Sequence, residues 1–477
     1  MHVMSALWPA SALAEATGGM LTTQFAAAGL SIDTRTLRPA DLFVALAGER
    51  RDGHEFVAAA LERAAAGAMV SRIPPGLPAS APLLLVDDTL AGLARLGAFA
   101  RSRATASVAA ITGSVGKTTT KEMLRRILAA AGPTHAARAS YNNQWGLPLT
   151  LAELPPAAAF AILEIGTNHP GEILPLAALA RPHVATITAI TGAHIGFFSD
   201  LAAIADEKAA LLSALEPGGA AILPADSPLL SRLAARVPPG CRTITFGESP
   251  EADARLLAAE TDRAGTEITA TLSGQTVRLR LDAPGRHMAL DALAALATAV
   301  ALGLSPHDAA AALAGFAALA GRGARTIIAV PGAVPGAVPG GEAILLDESY
   351  NASPAAVAAA LSVLALNSGS GRRIAVLGDM LELGSSATAE HEALAPAVAR
   401  SADLLFACGP LMRRLFDLTP AHLRGAYAAD SDALAPIVAA AIAPGDVVLV
   451  KGSLGSRMRR IVAALENAHR PAGGEGG

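Results

Sequence analysis

The chain has 477 residues, room for two to four domains at about 100–200 residues each. Hydrophobic residues make up 52% and aromatics 3%, which excludes bulk disorder and leaves Ala, Leu, Val and Ile to build the core. Lys and Arg number 37 against 41 Asp and Glu, so there is no basic field for nucleic acid.

The start, Met1 to Gly19, has no basic n-region and carries Glu15 in its first helical pattern, so it does not read as a secretory signal. Ser31-Ile32-Asp33-Thr34-Arg35 precedes a strand pattern, Leu42 to Leu46. Asp52-Gly53-His54 then opens a helical pattern, Glu55 to Ala66, and Val70 lies in a short strand. The Pro-rich run Pro74 to Pro82 reads as a linker. Beyond a strand at Leu83 to Val86 and a helix over Leu90 to Arg101, uniformly apolar strands alternate with helices. The strands are Ser107–Thr112, Ala159–Ile165, Val184–Ile190 and Ala220–Leu223; the helices are Thr118–Ala131 and Leu201–Leu215. This rhythm predicts a doubly wound, largely parallel sheet. Thr243 to Leu281 is β-like, and helices follow at Arg286–Leu302 and Pro306–Ala320. Past Gly321 a second α/β pattern begins. Strands fall at Arg325–Val330, Ala343–Asp347, Arg373–Leu377, Asp403–Cys408 and Val447–Lys451, with helices at Ser353–Leu366 and Ala387–Arg400. Pro331 to Gly341 is a Pro-Gly-Ala-Val tandem and reads as a loop, and His469 to Gly477 as a frayed tail. The Ala-rich helix Met288 to Gly303 is too short, and interrupted by Asp291, to span a bilayer. Cys241 and Cys408 stand alone and make no disulfide framework, which fits a soluble, cytoplasmic chain.

The sharpest chemical signal is Thr112-Gly113-Ser114-Val115-Gly116-Lys117-Thr118-Thr119-Thr120, set between a strand and a helix. Glycines let backbone amides curl around phosphate oxygens, and the helix N-terminus behind them favours negative charge. Lys117 is placed for the β/γ-phosphates and Thr118 for Mg²⁺. The first glycine of the usual phosphate-loop pattern is replaced by Ile111. Glu164 ends a strand, where ligands collect in open α/β sheets, and makes a natural second Mg²⁺ ligand. His194 also follows a strand, and Lys208 lies in the first half of an apolar helix, which is open to a bland reading as a surface charge. Asp347 to Pro354, Gly378 to Gly384 and Lys451-Gly452-Ser453 are three polar turns after strands of the last segment. Only four basic residues are lysines: Lys117, Lys121, Lys208 and Lys451. Where Arg supplies generic charge, a lysine marks a place that needs an amine or a compact ammonium. Lys121, one turn beyond Lys117, reads as an ordinary helix-surface charge.

Taken together, these motifs resemble the Mur ligase family over nearly the whole chain, from Ser31 to about Met458. Asn142-Asn143, Glu164-Ile165-Gly166, Gly285-Arg286-His287 and Gly321-Arg322 join the match. Tyr350-Asn351-Ala352 with Pro354, and the Gly-Asp-Met…Glu-Leu-Gly run, resemble the member that adds D-alanyl-D-alanine to UDP-N-acetylmuramoyl-tripeptide. The resemblance implies three domains: 1–82 for the UDP end of the substrate, a central P-loop α/β ATPase domain over 83–320, and a Rossmann-like C-terminal α/β domain over 321–477. It implies ATP and two Mg²⁺ ions, and a working monomer. Gly113, Ser114, Gly116, Lys117, Thr118 and Thr119 would hold ATP, with Arg322, Asp347 and Asn351 approaching it from the last domain. Ser31, Thr34, Arg35, Asp52 and His54 would lie at the UDP substrate, and Asn142 and Asn143 would face its sugar and phosphate region. Lys208 would be carbamylated and hold the second Mg²⁺ beside His194 and Glu164. One departure stands out: the helix after His287 commonly carries Asn in this family and here reads Met288-Ala289-Leu290-Asp291, leaving Asp291 or a backbone group to replace the amide.

Overall fold

A computed structural model describes residues 6–48, 51–137, 140–330, 341–367 and 371–468. The tandem repeat, apart from its last residue, and the tail fall outside those residues. Three sheets follow one another along the chain. In the first, the strands Gly29–Ser31, Asp41–Val44, Gly67–Val70 and Leu83–Leu85 run parallel, and Met20–Leu21 pairs antiparallel at the edge. This sheet runs past the expected boundary at 82. Leu83–Leu85 pairs with Gly67–Val70, and Leu93, Leu96 and Ala100 of the next helix, Thr89–Arg103, join the core of its strands.

The central sheet has nine strands, parallel from Thr134–Ala136 at one edge through to Ala254–Thr261. Two antiparallel strands, Thr266–Leu272 and Gln275–Leu281, extend the other edge. The strand Ser107–Thr112, paired on both sides, shows why such strands read as continuous apolar runs. Ala109 and Ile111 enter a core with Met123, Leu124, Ile127 and Leu128, while Val108 and Ala110 enter the opposite core with Leu163 and Leu211. Successive side chains point to opposite faces, and helices cover both. The third sheet has six strands, parallel except for the edge strand Ala324–Ala329. It repeats the design, with Ile374 and Val376 on one side and Ala375 and Leu377 on the other.

Several helices are shorter than their patterns. The one after Pro306 ends at Leu313, because Gly315 turns the chain at φ +71°. Glu55–Ala66 resolves into a 3₁₀ turn, Gly53–Phe56, and a short helix, Val57–Glu62. Ala387–Arg400 breaks into Ala387–Glu392 and Ala395–Ser401, with Pro396 in the first turn of the second helix. The helix from Leu201 ends at Ala209 and tightens into a 3₁₀ stretch, Ala210–Ala214. Lys208 therefore stands in the last helical turn, not the first half. Among the described residues no helix is long and apolar enough to cross a membrane.

Candidate functional site

The carboxyl end of Ser107–Thr112 leads into the loop Gly113–Gly116, and the helix Lys117–Ala131 starts directly behind it. Two glycines are required here. Gly116 has φ +84°, and a Cβ there would run into the Asp291 carboxyl; a Cβ at Gly113 would overlap the Thr188 hydroxyl. The loop is stitched to the neighbouring strand's exit: Ser114 N–H donates to Ala189 O (2.7 Å), and Ser114 Oγ donates to Thr191 O (3.0 Å). Lys117 Nζ curls over the loop and donates to Gly113 O at 2.7 Å. Burial lowers its pKa, opposed by Glu164 and reinforced by Arg322.

A cavity of about 690 Å³ opens at this loop, between the central and the C-terminal sheets. Its walls bring together Ser114, Gly116, Lys117, Thr118, Thr119, Asn142, Glu164 and His194 from the central unit, and Arg322, Glu348, Tyr350, Asn351, Glu382 and Lys451 from the last. Thr118 Oγ1 donates to Glu164 Oε2 at 2.9 Å, and Asn142 Nδ2 donates to Glu164 Oε1 at 2.8 Å. A hydroxyl and a carboxylate in contact make a hard oxygen pair. This suits Mg²⁺, which takes one or two carboxylates and fills the rest of its shell with water and phosphate. Among the described residues no group of three or more His, Cys, Asp and Glu side chains forms a protein-only metal cage.

Lys121 is not a surface charge. It is 1% exposed, donates to Ala137 O at 3.2 Å, and its Nζ lies 3.0 Å from Glu122 and 3.9 Å from Glu164. The four-residue spacing from Lys117 puts both ammonium groups on the Glu164 side of the helix. Its place among only four lysines was the usable signal. Ser140 carried no such signal, yet it links the two halves. Its Oγ lies 3.3 Å from Thr118 Oγ1 and accepts from Arg322 at 3.2 Å, while Arg322 stacks on the Tyr350 ring at 4.0 Å.

His194 adopts a left-handed conformation (φ +62°), and its Nδ1 pairs with Glu382 of the last unit. Gly196 N–H donates to Glu382 O at 3.0 Å, and Gly196 and Gly384 meet so closely that a Cβ on either would clash. These contacts clamp the two α/β units together beside the phosphate loop. Burial lowers the His194 pKa; Glu382 opposes this, and Lys117 and Lys208 add to it. Lys208 is 2% exposed and makes no hydrogen bond among the described residues. Burial, with the nearby Lys117 charge, brings its pKa down to about 7.

Two of the expected site residues, Asp347 and Asn143, lie off this cavity's wall and brace the local backbone. Asp347 does not line the cavity. It is 3% exposed and accepts from Gly321 N–H (2.8 Å), Ser349 N–H and Oγ, and Arg459 (2.8 Å), so it fixes the turn that carries Arg322. Asn143 is also absent from the lining. Its Oδ1 accepts from the N–H groups of Trp145 and Gly146 and anchors the start of the helix Gly146–Ala152. Asn351 lines the cavity.

Ser31, Thr34, Arg35, Asp52 and His54 lie outside this cavity's lining, on the exits of the parallel strands of the first sheet. Arg35 pairs with Asp33, and Ser31 Oγ donates to Asp33 O (2.9 Å). His54 is 4% exposed. Its Nε2 accepts from Ser71 N–H (3.0 Å), so Nδ1–H donates to Asp52 at 2.6 Å. Hydrogen bonds from Arg72 and then His54 hold the Asp52 carboxyl far below the usual range. His54 braces the strand exits through both ring nitrogens.

A model of the Mur ligase middle domain matches residues 111–299, and one of the Mur ligase glutamate ligase domain matches residues 338–454. The UDP-N-acetylmuramoyl-tripeptide–D-alanyl-D-alanine ligase of Escherichia coli (strain K12) is 34% identical over 448 residues, covering 92% of this chain and 93% of the relative. The chain belongs to the Mur ligase family. The same-named ligase of Synechocystis is 35% identical, covering 91% and 90%. A crystal structure of MurF from Acinetobacter baumannii superposes with a TM-score of 0.82 at 30% identity, covering 96% of this chain and 99% of that one. The chain is thus an ATP-dependent amide ligase of the Mur type, acting in peptidoglycan synthesis, with the family's three-part α/β architecture.

Asp291 stands where this Mur ligase departs from the expected Asn, its carboxyl against Gly116. Burial pushes its pKa up to about 8, with Thr120 and then Arg322 opposing. A carboxyl raised from 3.8 binds more protons folded than unfolded, so stability falls as pH rises from about 4 to about 8. Asp291→Asn removes that loss. The Tm gap between variant and wild type should widen in the variant's favour across this window, read by thermal unfolding at pH 5, 7 and 8.5. A pH-independent gap would show that the carboxyl does not titrate there.

Proposed function

We propose that this Mur ligase joins D-alanyl-D-alanine to the terminal carboxylate of UDP-N-acetylmuramoyl-tripeptide, using ATP. The single observation that supports the substrate choice is the alignment, over nine-tenths or more of this chain and its relatives, with ligases that bear that name. The site supplies chemistry suited to it. A carboxylate is a poor acylating agent because it must expel oxide. Transfer of the γ-phosphoryl of ATP to the carboxylate oxygen makes an acyl phosphate and releases ADP. The dipeptide amine then attacks the acyl carbon, a tetrahedral intermediate forms, and phosphate leaves with the C–O bond.

In this scheme Lys117 and the loop amides hold the β- and γ-phosphates in line for transfer. Thr118 and Glu164 would hold Mg²⁺, which when bound neutralises phosphate oxygens and polarises the transferred group. His194 and a carbamylated Lys208 would hold a second ion. Arg322, anchored by Asp347 and braced on Tyr350, faces the same space. The His194–Glu382 clamp would keep water from the acyl phosphate. Ser31, Thr34, Arg35 and Asp52 would receive the UDP end at the strand exits of the first sheet, with Asn142 turned toward the sugar and phosphate region. A clamp of this kind works within one chain, so a cytoplasmic monomer suffices.

Phosphate release by the purified protein tests the substrates. Turnover should require ATP, the UDP-tripeptide and D-alanyl-D-alanine together. Turnover with D-glutamate, a diamino acid or a folate in place of the dipeptide would assign the chain to a different amide ligase.

A further inference from the structure

Lys451 ends the central strand Val447–Lys451 of the third sheet, in register with Glu348 on the neighbouring parallel strand. Both side chains reach the cavity wall, as does Asn351 three residues further on. Lys451 is 3% exposed, yet its Nζ is fully engaged with that wall: it donates to Glu348 Oε2 at 3.0 Å and to the Asn351 carbonyl at 3.1 Å. Without this bridge, Glu348 would be a largely buried carboxylate with no cation bonded to it, and the turn Ser349–Ala352 would lose a tether across two strands. The ammonium also suits the spot better than a guanidinium. It is compact and puts separate donors on two oxygens, where a planar fork would need a wider gap. His287 faces the same pair from the central unit, and both their charges act on it. On that helix, Asp291 lies one turn on and touches Gly116 of the phosphate loop. The Lys451–Glu348–Asn351 cluster thus forms the wall one helical turn away from the phosphates, alongside the rest of a nucleotide seated on the loop.

We infer that Lys451 is a positioning residue for the nucleotide: it sets the Glu348 carboxylate and the Tyr350–Asn351 turn against the bound nucleotide and takes no part in phosphoryl transfer. The inference needs ATP at this cavity and is independent of the dipeptide specificity proposed above.

Lys451→Met and the paired variant Glu348→Gln/Lys451→Met test it. The double variant removes the stranded carboxylate, so it should regain most of the thermal stability that Lys451→Met loses. Binding of Mg·ADP, titrated by calorimetry without the other substrates, should weaken by tenfold or more in both variants. In the full assay KM for ATP should rise by a similar factor, while kcat and KM for the UDP-tripeptide stay within about threefold of wild type. A merely structural lysine predicts the opposite split: a smaller active fraction and lower Tm, with Mg·ADP affinity and KM for ATP unchanged in the folded double variant. That result would overturn the inference. Failure of the wild type to bind Mg·ADP would overturn it too, along with the placing of ATP in this cavity. A wild type that binds Mg·ADP but turns over with a different amine substrate would count only against the proposed dipeptide.

Discussion

Lys117→Ala is expected to lower kcat/KM for ATP by about 10³-fold, near the upper end of what removing one preorganised donor at a developing charge costs. In free-energy terms this is about 4 kcal/mol. The ammonium already sits on the loop, donating to Gly113 O, so it needs only a short swing to meet phosphate oxygens. Lys117→Arg should recover little, because a planar fork cannot follow the curl of a Gly113–Gly116 loop built around a point charge. Thermal stability gives the control. Burial already disfavours the charged form of Lys117, so its removal should leave Tm unchanged or slightly raised. Loss of turnover with an intact melting curve would place the residue in phosphate binding. Near-normal turnover would mean that the loop amides and the helix N-terminus carry the phosphates alone.

What the sequence made legible followed from local physics. Ser107–Thr112 shows its place in a two-sided sheet by having no polar interior residue, and the Gly113–Thr119 pattern carries its geometry in its glycines. Glu164 lands on Thr118 because it ends the strand next to the one that leads into the phosphate loop, a consequence of the topology that the strand pattern already implied. Other placements depended on longer range. Asp347 and Glu348 look alike as neighbouring acids after a strand. Only the strand alternation and the contacts from Gly321 and Arg459 turn one inward as an anchor and leave the other at the cavity. Asn142 and Asn143 divide in the same way, one to Glu164 and one to a helix start. Ser140 and Glu382 join units distant in sequence, and nothing local announces such partners.

Lys208 gives the second large effect. Lys208→Ala should cost about 10³-fold in ligase turnover, about 4 kcal/mol, with ADP binding to the loop largely kept. Lys208 is a nearly inaccessible amine near the Lys117 charge, and among the described residues no hydrogen bond holds a proton on it. With its pKa at about 7, half the amine is neutral at neutral pH, where an ordinary lysine is almost wholly charged. A neutral amine attacks CO₂. The new N–C bond leaves a carboxylate on oxygen, and nitrogen sheds one proton to water. Carbamylation would turn the cation into an anion and reverse the repulsion between Lys208 and both Lys117 and His194. At a fixed concentration of dissolved CO₂, reactivation of CO₂-stripped enzyme should speed up with pH and level off above about 7. An exposed lysine would keep gaining to about pH 10.4. In Lys208→Ala, acetate or another short carboxylic acid should restore part of the activity by refilling the anion's place, while Lys208→Arg should stay inactive with or without it. Full activity of Lys208→Ala in CO₂-free buffer would remove any role for the carbamate.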